Sequence, residues 1–197
     1  MAEKKLEGAG LRGQVAGKTS LSTVGKAGKG LTYRGYEIEV LAEKAFFEEV
    51  AYMLLYGNLP NQEEYSAYSD KLKKLRSLPN KLKEVLENIP ASAHPMDVMR
   101  TGCSMLGNLE PEGDFENQNT SADRILASLA SIIVYWYKFS HDGIKVNLET
   151  DYETIGGHFL SLLTDKEPSE DDIRCLDTSL ILYAEHGFNA STFTART

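Results

Sequence analysis

The chain reads as an all-α protein with a small β-hairpin near its N-terminal end. Three observations carry that prediction. From Glu39 onward, apolar residues recur at helical spacing in one segment after another. Proline, glycine or a short polar run closes most of those segments. The alternating, β-prone stretches lie between Thr19 and Ile38. Three spans follow: a polar tail over residues 1–18, a hairpin over 19–38, and one helical domain over 39–197.

The first dozen residues are polar and glycine-rich, and little order is expected of them. Two β-prone runs, Thr19–Val24 and Leu31–Ile38, then flank "GKAGKG". That segment has lysines and glycines to offer a phosphate, but it lacks the Walker spacing and no strand-to-helix context follows. A plain hairpin turn is the expectation.

"VLAEKAFFEEVAYMLLYG" reads as one helix stopping at Gly57. The next opens after Pro60 and closes before Pro79, and "NKLKEVLENIP" is bounded by prolines on both sides. "HPMDVMRTGCSMLGNL" starts with proline in its first turn, a position helices tolerate, and runs to Gly107. Residues 110–122, "EPEGDFENQNTSA", read as an acidic polar loop. "ADRILASLASIIVYWYKF" is apolar nearly all round, which predicts a central buried helix. "TIGGHFLSLLTDK" is a shorter helix. In "PSEDDIRCLDTSLILYAEH", Ser169 and Asp172 form a capping pair, acids fill the first turn, and Ile173, Leu176, Leu180 and Tyr183 mark the expected buried face.

At 197 residues, 42% hydrophobic and 25% charged, the chain has the size and composition of a domain with a real core. A net charge of -8 offers phosphates no broad basic surface, so no nucleic-acid partner is expected. Cys103 and Cys175 lie far apart with no Cys-x-x-Cys spacing and no clustered histidines. Reduced, buried thiols are predicted, with neither a disulfide frame nor a metal site. The N-terminus has no apolar stretch of signal-peptide type, and the run Ile132–Tyr137 is too short to cross a bilayer. A cytoplasmic protein with no membrane partner is the expectation.

One segment asks for chemistry. In "LYAEHGFNAST", Leu182–Thr192, an apolar helical run stops at His186, turns at Gly187 and restarts behind Asn189, Ser191 and Thr192. His186 is read as the last turn of one helix, with Gly187 as its stop and Asn189 capping the next. An imidazole beside a helix start can hold a small carboxylate or oxyanion. The same spacing also fits two ordinary helix caps, and both readings stand on the residues alone. Of the other histidines, His94 precedes Pro95 at a helix start, His141 lies in the turn "SHDG", and His158 follows two glycines near a helix start. Structural roles are expected for all three.

"LYAEHGFNAST" resembles the oxaloacetate-binding histidine segment of the citrate synthase family. "LTYRGYEIEVLAE", "FEEVAYMLLYGNLP", "AHPMDVMRTGCSMLG", "YWYKFSHDG" and "IGGHFLSLL" agree with it in order, and together they resemble the 2-methylcitrate synthase branch over residues 10–196. The resemblance implies an acyltransferase that condenses propanoyl-CoA or acetyl-CoA with oxaloacetate, giving 2-methylcitrate or citrate and CoA. It also implies a homodimer with no cofactor, since the acyl-CoA is a substrate.

By the same resemblance His186 matches the oxaloacetate-binding histidine and Asn189 the asparagine that follows it. Lys71, in "DKLKKLR", falls where the resemblance places a basic substrate-binding residue, whereas on sequence grounds alone a solvated lysine face is the favoured reading. The family's Gly-Pro-x-His-Gly segment, second histidine, catalytic aspartate and C-terminal arginines have no match here. No catalytic residue is therefore expected in this chain, and the chain alone is expected to be inactive. A non-catalytic helical module for dimerisation or partner binding is the alternative. Within the motif, Gly187 stands where the family usually has glutamate.

Overall fold

The computed structural model describes residues 17–24 and 30–196. Most of the polar tail and of the "GKAGKG" turn lies outside the described residues. Three short strands, β1 (Ser22–Thr23), β2 (Thr32–Tyr33) and β3 (Tyr36–Glu37), pair antiparallel in the order β1-β2-β3. The expected hairpin thus gains a third strand. Its cause is the turn Arg34-Gly35, with φ of 44° and 92°, because two successive left-handed residues match the twist of paired strands. Tyr33 stands opposite Ser22 on one side and Tyr36 on the other, and it is fully buried.

Nine α-helices follow among the described residues. They are α1 (Ile38–Lys44), α2 (Phe47–Tyr56), α3 (Gln62–Lys74), α4 (Asn80–Glu87), α5 (Pro95–Leu109), α6 (Gln118–Asp142), α7 (Ile155–Thr164), α8 (Glu170–Tyr183) and α9 (Ala190–Arg196). Local chemistry explains several of their starts. Asn61 accepts the amides of Glu63 and Glu64 while Glu64 reaches back to the Asn61 amide, which opens α3. His94 Nδ1 accepts the Met96 amide ahead of α5, Thr154 caps α7, and Ser169 accepts the Asp172 amide at the start of α8.

Four expectations are corrected. The run from Val40 to Gly57 is two helices, broken at Ala45 and Phe46 with no glycine or proline to mark it. The break is held from a distance. Arg174 of α8 donates to the carbonyls of Ala42 and Ala45, and Asp177 accepts the Phe47 amide. Residues 110–122 are only partly loop, since a 3-10 turn over Phe115–Asn117 leads directly into α6 at Gln118, while α5 runs on to Leu109. The buried face of α8 centres on Asp177 and Ile181, and Tyr183 is 89% exposed. Finally, Cys103 is only half-buried and Cys175 is exposed, although both thiols are free as expected.

The long helix α6 is the axis of the domain, with α3, α4, α5 and α7 packed around it. α5 comes especially close. A Cβ at Gly102 would sit 2.5 Å from Ile132 Cγ2, so glycine lets the two helices meet backbone to side chain. Two apolar clusters result. One joins Tyr33, Val50, Met53, Leu72 and Ile181. The other joins Leu82, Leu86, Val98, Leu106, Ile132 and Trp136. Phe159 of α7 packs against both.

Candidate functional site

The segment carrying His186 hangs between α8 and α9. α8 ends at Tyr183, earlier than the sequence predicts, so His186 lies in the connecting turn rather than in the helix. Gly187 and Phe188 both take left-handed backbone there, with φ of 72° and 39°. Glycine adopts this at little cost, whereas Phe188 is held in it against its preference. His186 Nε2 lies 2.9 Å from Asn189 Nδ2. The Asn189 Oδ1 accepts the Ser191 amide at 2.9 Å, so the amide nitrogen is the atom facing the ring. An amide NH₂ only donates. The geometry therefore makes His186 Nε2 the acceptor, which in the neutral ring leaves the proton on Nδ1 to face a ligand oxygen.

Glu185 and Gly187 are fixed on either side of the imidazole. Glu185 Oε1 accepts the Gly187 amide at 2.5 Å and the Ser22 hydroxyl at 3.3 Å. The Tyr33 hydroxyl donates to the carbonyls of Ile181 and Leu182 at 3.0 and 3.3 Å and accepts the Glu185 amide at 3.2 Å. A cleft of about 600 Å³ opens beside this turn, lined by His186, Gly187, Phe188 and, from the N-terminal side, Lys18 and Thr19 ahead of β1 and Ser22 within it. Nothing in the strand sequence alone marks these residues as neighbours of His186.

Lys71 belongs to a different cluster. Its Nζ pairs with Asp123 Oδ2 at 2.5 Å and lies 3.4 Å from the Tyr56 hydroxyl. Asp123 is fully buried and also accepts the hydroxyls of Tyr68 at 2.9 Å and Tyr56 at 2.5 Å. Burial works against the Lys71 charge, but Asp123 outweighs it and holds the ammonium above its ordinary pKa. Burial and then Asp123 push the phenols of Tyr56 and Tyr68 up. His186 and Asn189 are thus brought together, and the hydrogen bonds of Lys71 run to Asp123 and Tyr56.

The remaining histidines take structural places. His141 sits in the last turn of α6, not in a loop turn as the sequence implied. Its ring stacks on Tyr137 at 4.5 Å and meets Trp136 edge-on at 5.5 Å. His158 is fully buried between the hydroxyls of Ser131, 3.0 Å from Nε2, and Thr150, 2.9 Å from Nδ1. Burial, with the nearby Arg76 charge adding to it, holds its pKa down to about 3.

Helical-face reasoning also missed buried charged residues besides Asp123, three of them near the start of α7. Glu48 accepts the Ile155 amide at 2.6 Å, capping α7 from the start of α2, and burial pushes its pKa up to about 7. Asp177 accepts the Phe47 amide at 2.9 Å and is likewise raised by burial. Arg76 donates to the carbonyls of Tyr152 and Glu153, and burial lowers its pKa against the pull of Glu48. On sequence grounds these three look like an ordinary solvated helix surface. Only the packing of α2, α7 and α8 reveals them.

No group of three or more histidine, cysteine, aspartate or glutamate side chains among the described residues is arranged to hold a metal ion. No helix among them is long and apolar enough to cross a membrane.

Comparison with known proteins decides the family. The family model described as citrate synthase, C-terminal domain, matches residues 10–197. The chain belongs to the citrate synthase family. It is 65% identical over 193 residues to a 2-methylcitrate synthase of Shewanella oneidensis, an alignment covering 98% of this chain and 52% of that protein. A 2-methylcitrate synthase of Corynebacterium glutamicum is 36% identical, with 95% of this chain and 51% of that protein covered. Among solved structures, the citrate synthase of Pyrobaculum aerophilum superposes with a TM-score of 0.83 at 30% identity, covering 93% of this chain and 48% of that one. The chain thus spans about half the length of the relatives it matches, and over that half it is a close homologue of 2-methylcitrate synthase. The mostly helical, partial-domain architecture is that of the citrate synthases.

Proposed function

We propose that this chain supplies the oxaloacetate-binding part of a 2-methylcitrate synthase. In that reading the complete enzyme condenses propanoyl-CoA with oxaloacetate to give 2-methylcitrate and CoA, a step of propionate catabolism. Acetyl-CoA, giving citrate in the tricarboxylic acid cycle, is the alternative acyl donor. A carboxylate base takes the α-proton of the thioester, and the enol attacks the keto carbon of oxaloacetate. Donors aimed at the keto oxygen stabilise the alkoxide as it forms. The acyl-CoA enters as a substrate, so no bound cofactor is required. We place the protein in the cytoplasm as a homodimer, and neither nucleic acid nor membrane enters the scheme.

The observation that carries this reading is the His186–Asn189 pair, set in a chain 65% identical to a 2-methylcitrate synthase. With Nε2 occupied by Asn189, the ring can offer Nδ1–H to the keto oxygen. Lys18 on the cleft wall is a cation within the same space for a carboxylate. Lys71 enters the proposal as a second substrate cation on the strength of the resemblance, in competition with its bond to Asp123.

Titration of the chain with oxaloacetate, followed through the imidazole NMR signals, tests the reading. Binding is expected in the millimolar range, because each absent charge-assisted hydrogen bond forfeits roughly 1.5–3 kcal/mol. The His186 signals should move and those of His141 should not, and His186→Ala should abolish the saturable response. An unmoved His186, or equal movement at His141, would sink the idea and leave His186 as an ordinary turn residue.

A further inference from the structure

The N-terminal sheet touches the His186 turn at two places, and both contacts are specific. The Tyr33 hydroxyl is inserted among the last carbonyls of α8, donating to Ile181 or Leu182, and receives the Glu185 amide. That amide follows the helix end and would otherwise compete for the same carbonyls. Tyr33 is fully buried, so water cannot replace it without opening the core. From β1, the Ser22 hydroxyl reaches the Glu185 carboxylate, whose same oxygen accepts the Gly187 amide. The residues before and after His186 are therefore each held, one by β2 directly and one through Glu185. The imidazole between them is then closed onto Asn189.

From this geometry we infer that Tyr33 and Glu185 are positioning residues for His186: the sheet sets where α8 stops, and Glu185 fixes the turn so that the ring presents Nδ1–H. Neither residue needs to touch a ligand. Three parts of the arrangement work in series. The Tyr33 hydroxyl ends α8 early and draws the Glu185 amide toward the core. The Glu185 carboxylate bends back to the Gly187 amide, which favours the left-handed backbone at Gly187 and Phe188. That bend brings Asn189 to Nε2. A residue that only filled the core would do its work through the phenyl ring, whereas the role inferred for Tyr33 resides in its hydroxyl. The ligand consequence rests on the oxaloacetate reading above, but the orientation of the ring does not.

Long-range proton–nitrogen NMR of the imidazoles in the full chain separates the two. The unaltered chain is expected to show His186 as the Nδ1–H tautomer. Tyr33→Phe, which keeps the ring, and Glu185→Ala should each move His186 toward a tautomer-averaged pattern. Buried His158 should keep its own pattern as an internal control. Glu185→Gln retains an oxygen for the Gly187 amide and should restore the original His186 pattern. In both disrupted variants the oxaloacetate dissociation constant should rise about tenfold, the equivalent of roughly one hydrogen bond.

An unchanged His186 pattern in folded Tyr33→Phe and Glu185→Ala proteins would overturn the inference. If Tyr33→Phe does not fold, Glu185→Ala at the half-buried turn decides it alone. If the tautomer shifts as expected while the unaltered chain binds no oxaloacetate, the positioning role stands and the substrate reading falls.

Discussion

The polar groups around Glu48, Arg76, Asp177 and His158 are closed off from water, whereas those around His186 sit at its edge. In the buried region carboxylates cap helix starts, an arginine takes loop carbonyls, and an imidazole is held neutral between two hydroxyls. At the turn, a tyrosine, a glutamate and an asparagine restrict one imidazole that itself remains open to solution. Similar hydrogen bonds have different consequences in the two places. Burial makes the protonation state of the first set a condition of folding. Exposure lets the His186–Asn189 contact fix a direction at little energetic stake, although the Tyr33 hydroxyl behind it is buried.

The comparison is broken most easily at His158. Its pKa is about 3 in the folded chain against 6.5 unfolded, so the unfolded chain binds the extra proton between those values. Its contribution is complete above pH 6.5 and is lost as pH falls toward 3, on the order of 4 kcal/mol across the window. Urea melts of the chain and of His158→Gln should diverge in slope over that acid range. Parallel pH profiles would place the acid sensitivity elsewhere.

Glu48 should give the opposite sign and a somewhat smaller effect. Its carboxyl is raised from 4.5 to about 7, so its favourable contribution is complete below pH 4.5 and is lost as pH rises through 7. The loss is on the order of 3 kcal/mol. Glu48→Gln keeps an oxygen for the Ile155 amide and cannot ionise, so it should gain on the unaltered chain as pH climbs from 4.5 to 8. Thermal melts at several pH values would sharpen the contrast, and a constant gap between the two proteins would defeat it.

The smallest stability effect is expected at His186 itself. An exposed ring bonded, among the described residues, to Asn189 should be removable at a cost within about 0.5 kcal/mol. Denaturation of His186→Ala at neutral pH checks this. A loss of several kcal/mol would show the turn to be part of the folding core and erase the distinction between the regions.

Much of the helical plan was legible because punctuation is local. Asn61 behind Pro60, Pro79 before Asn80, His94 before Pro95 and Ser169 ahead of three acids all announce helix starts. The break at Phe46 was not legible, because the groups that hold it, Arg174 and Asp177, lie some 130 positions away in sequence. The early stop of α8 escaped for the same reason, being set by a tyrosine hydroxyl from β2. At the candidate site, the closeness of His186 to Asn189 was legible in their spacing, whereas Tyr33 reads in sequence only as an apolar strand residue. Glu48 and Asp177 read as ordinary helix-surface acids, since burial by neighbouring helices leaves no mark on a periodic pattern.

The glycine after His186 carries a consequence for how this turn can change. It stands where the family resemblance leads one to expect glutamate, its φ is 72°, and a Cβ there would come within 3.3 Å of the Ser22 hydroxyl oxygen. A side chain placed there would meet unfavourable backbone, at roughly 1–2 kcal/mol, and an occupied neighbour. Glycine is thus tied to the turn as it is built: any side chain there, glutamate included, must reshape the left-handed backbone or displace the Ser22 hydroxyl.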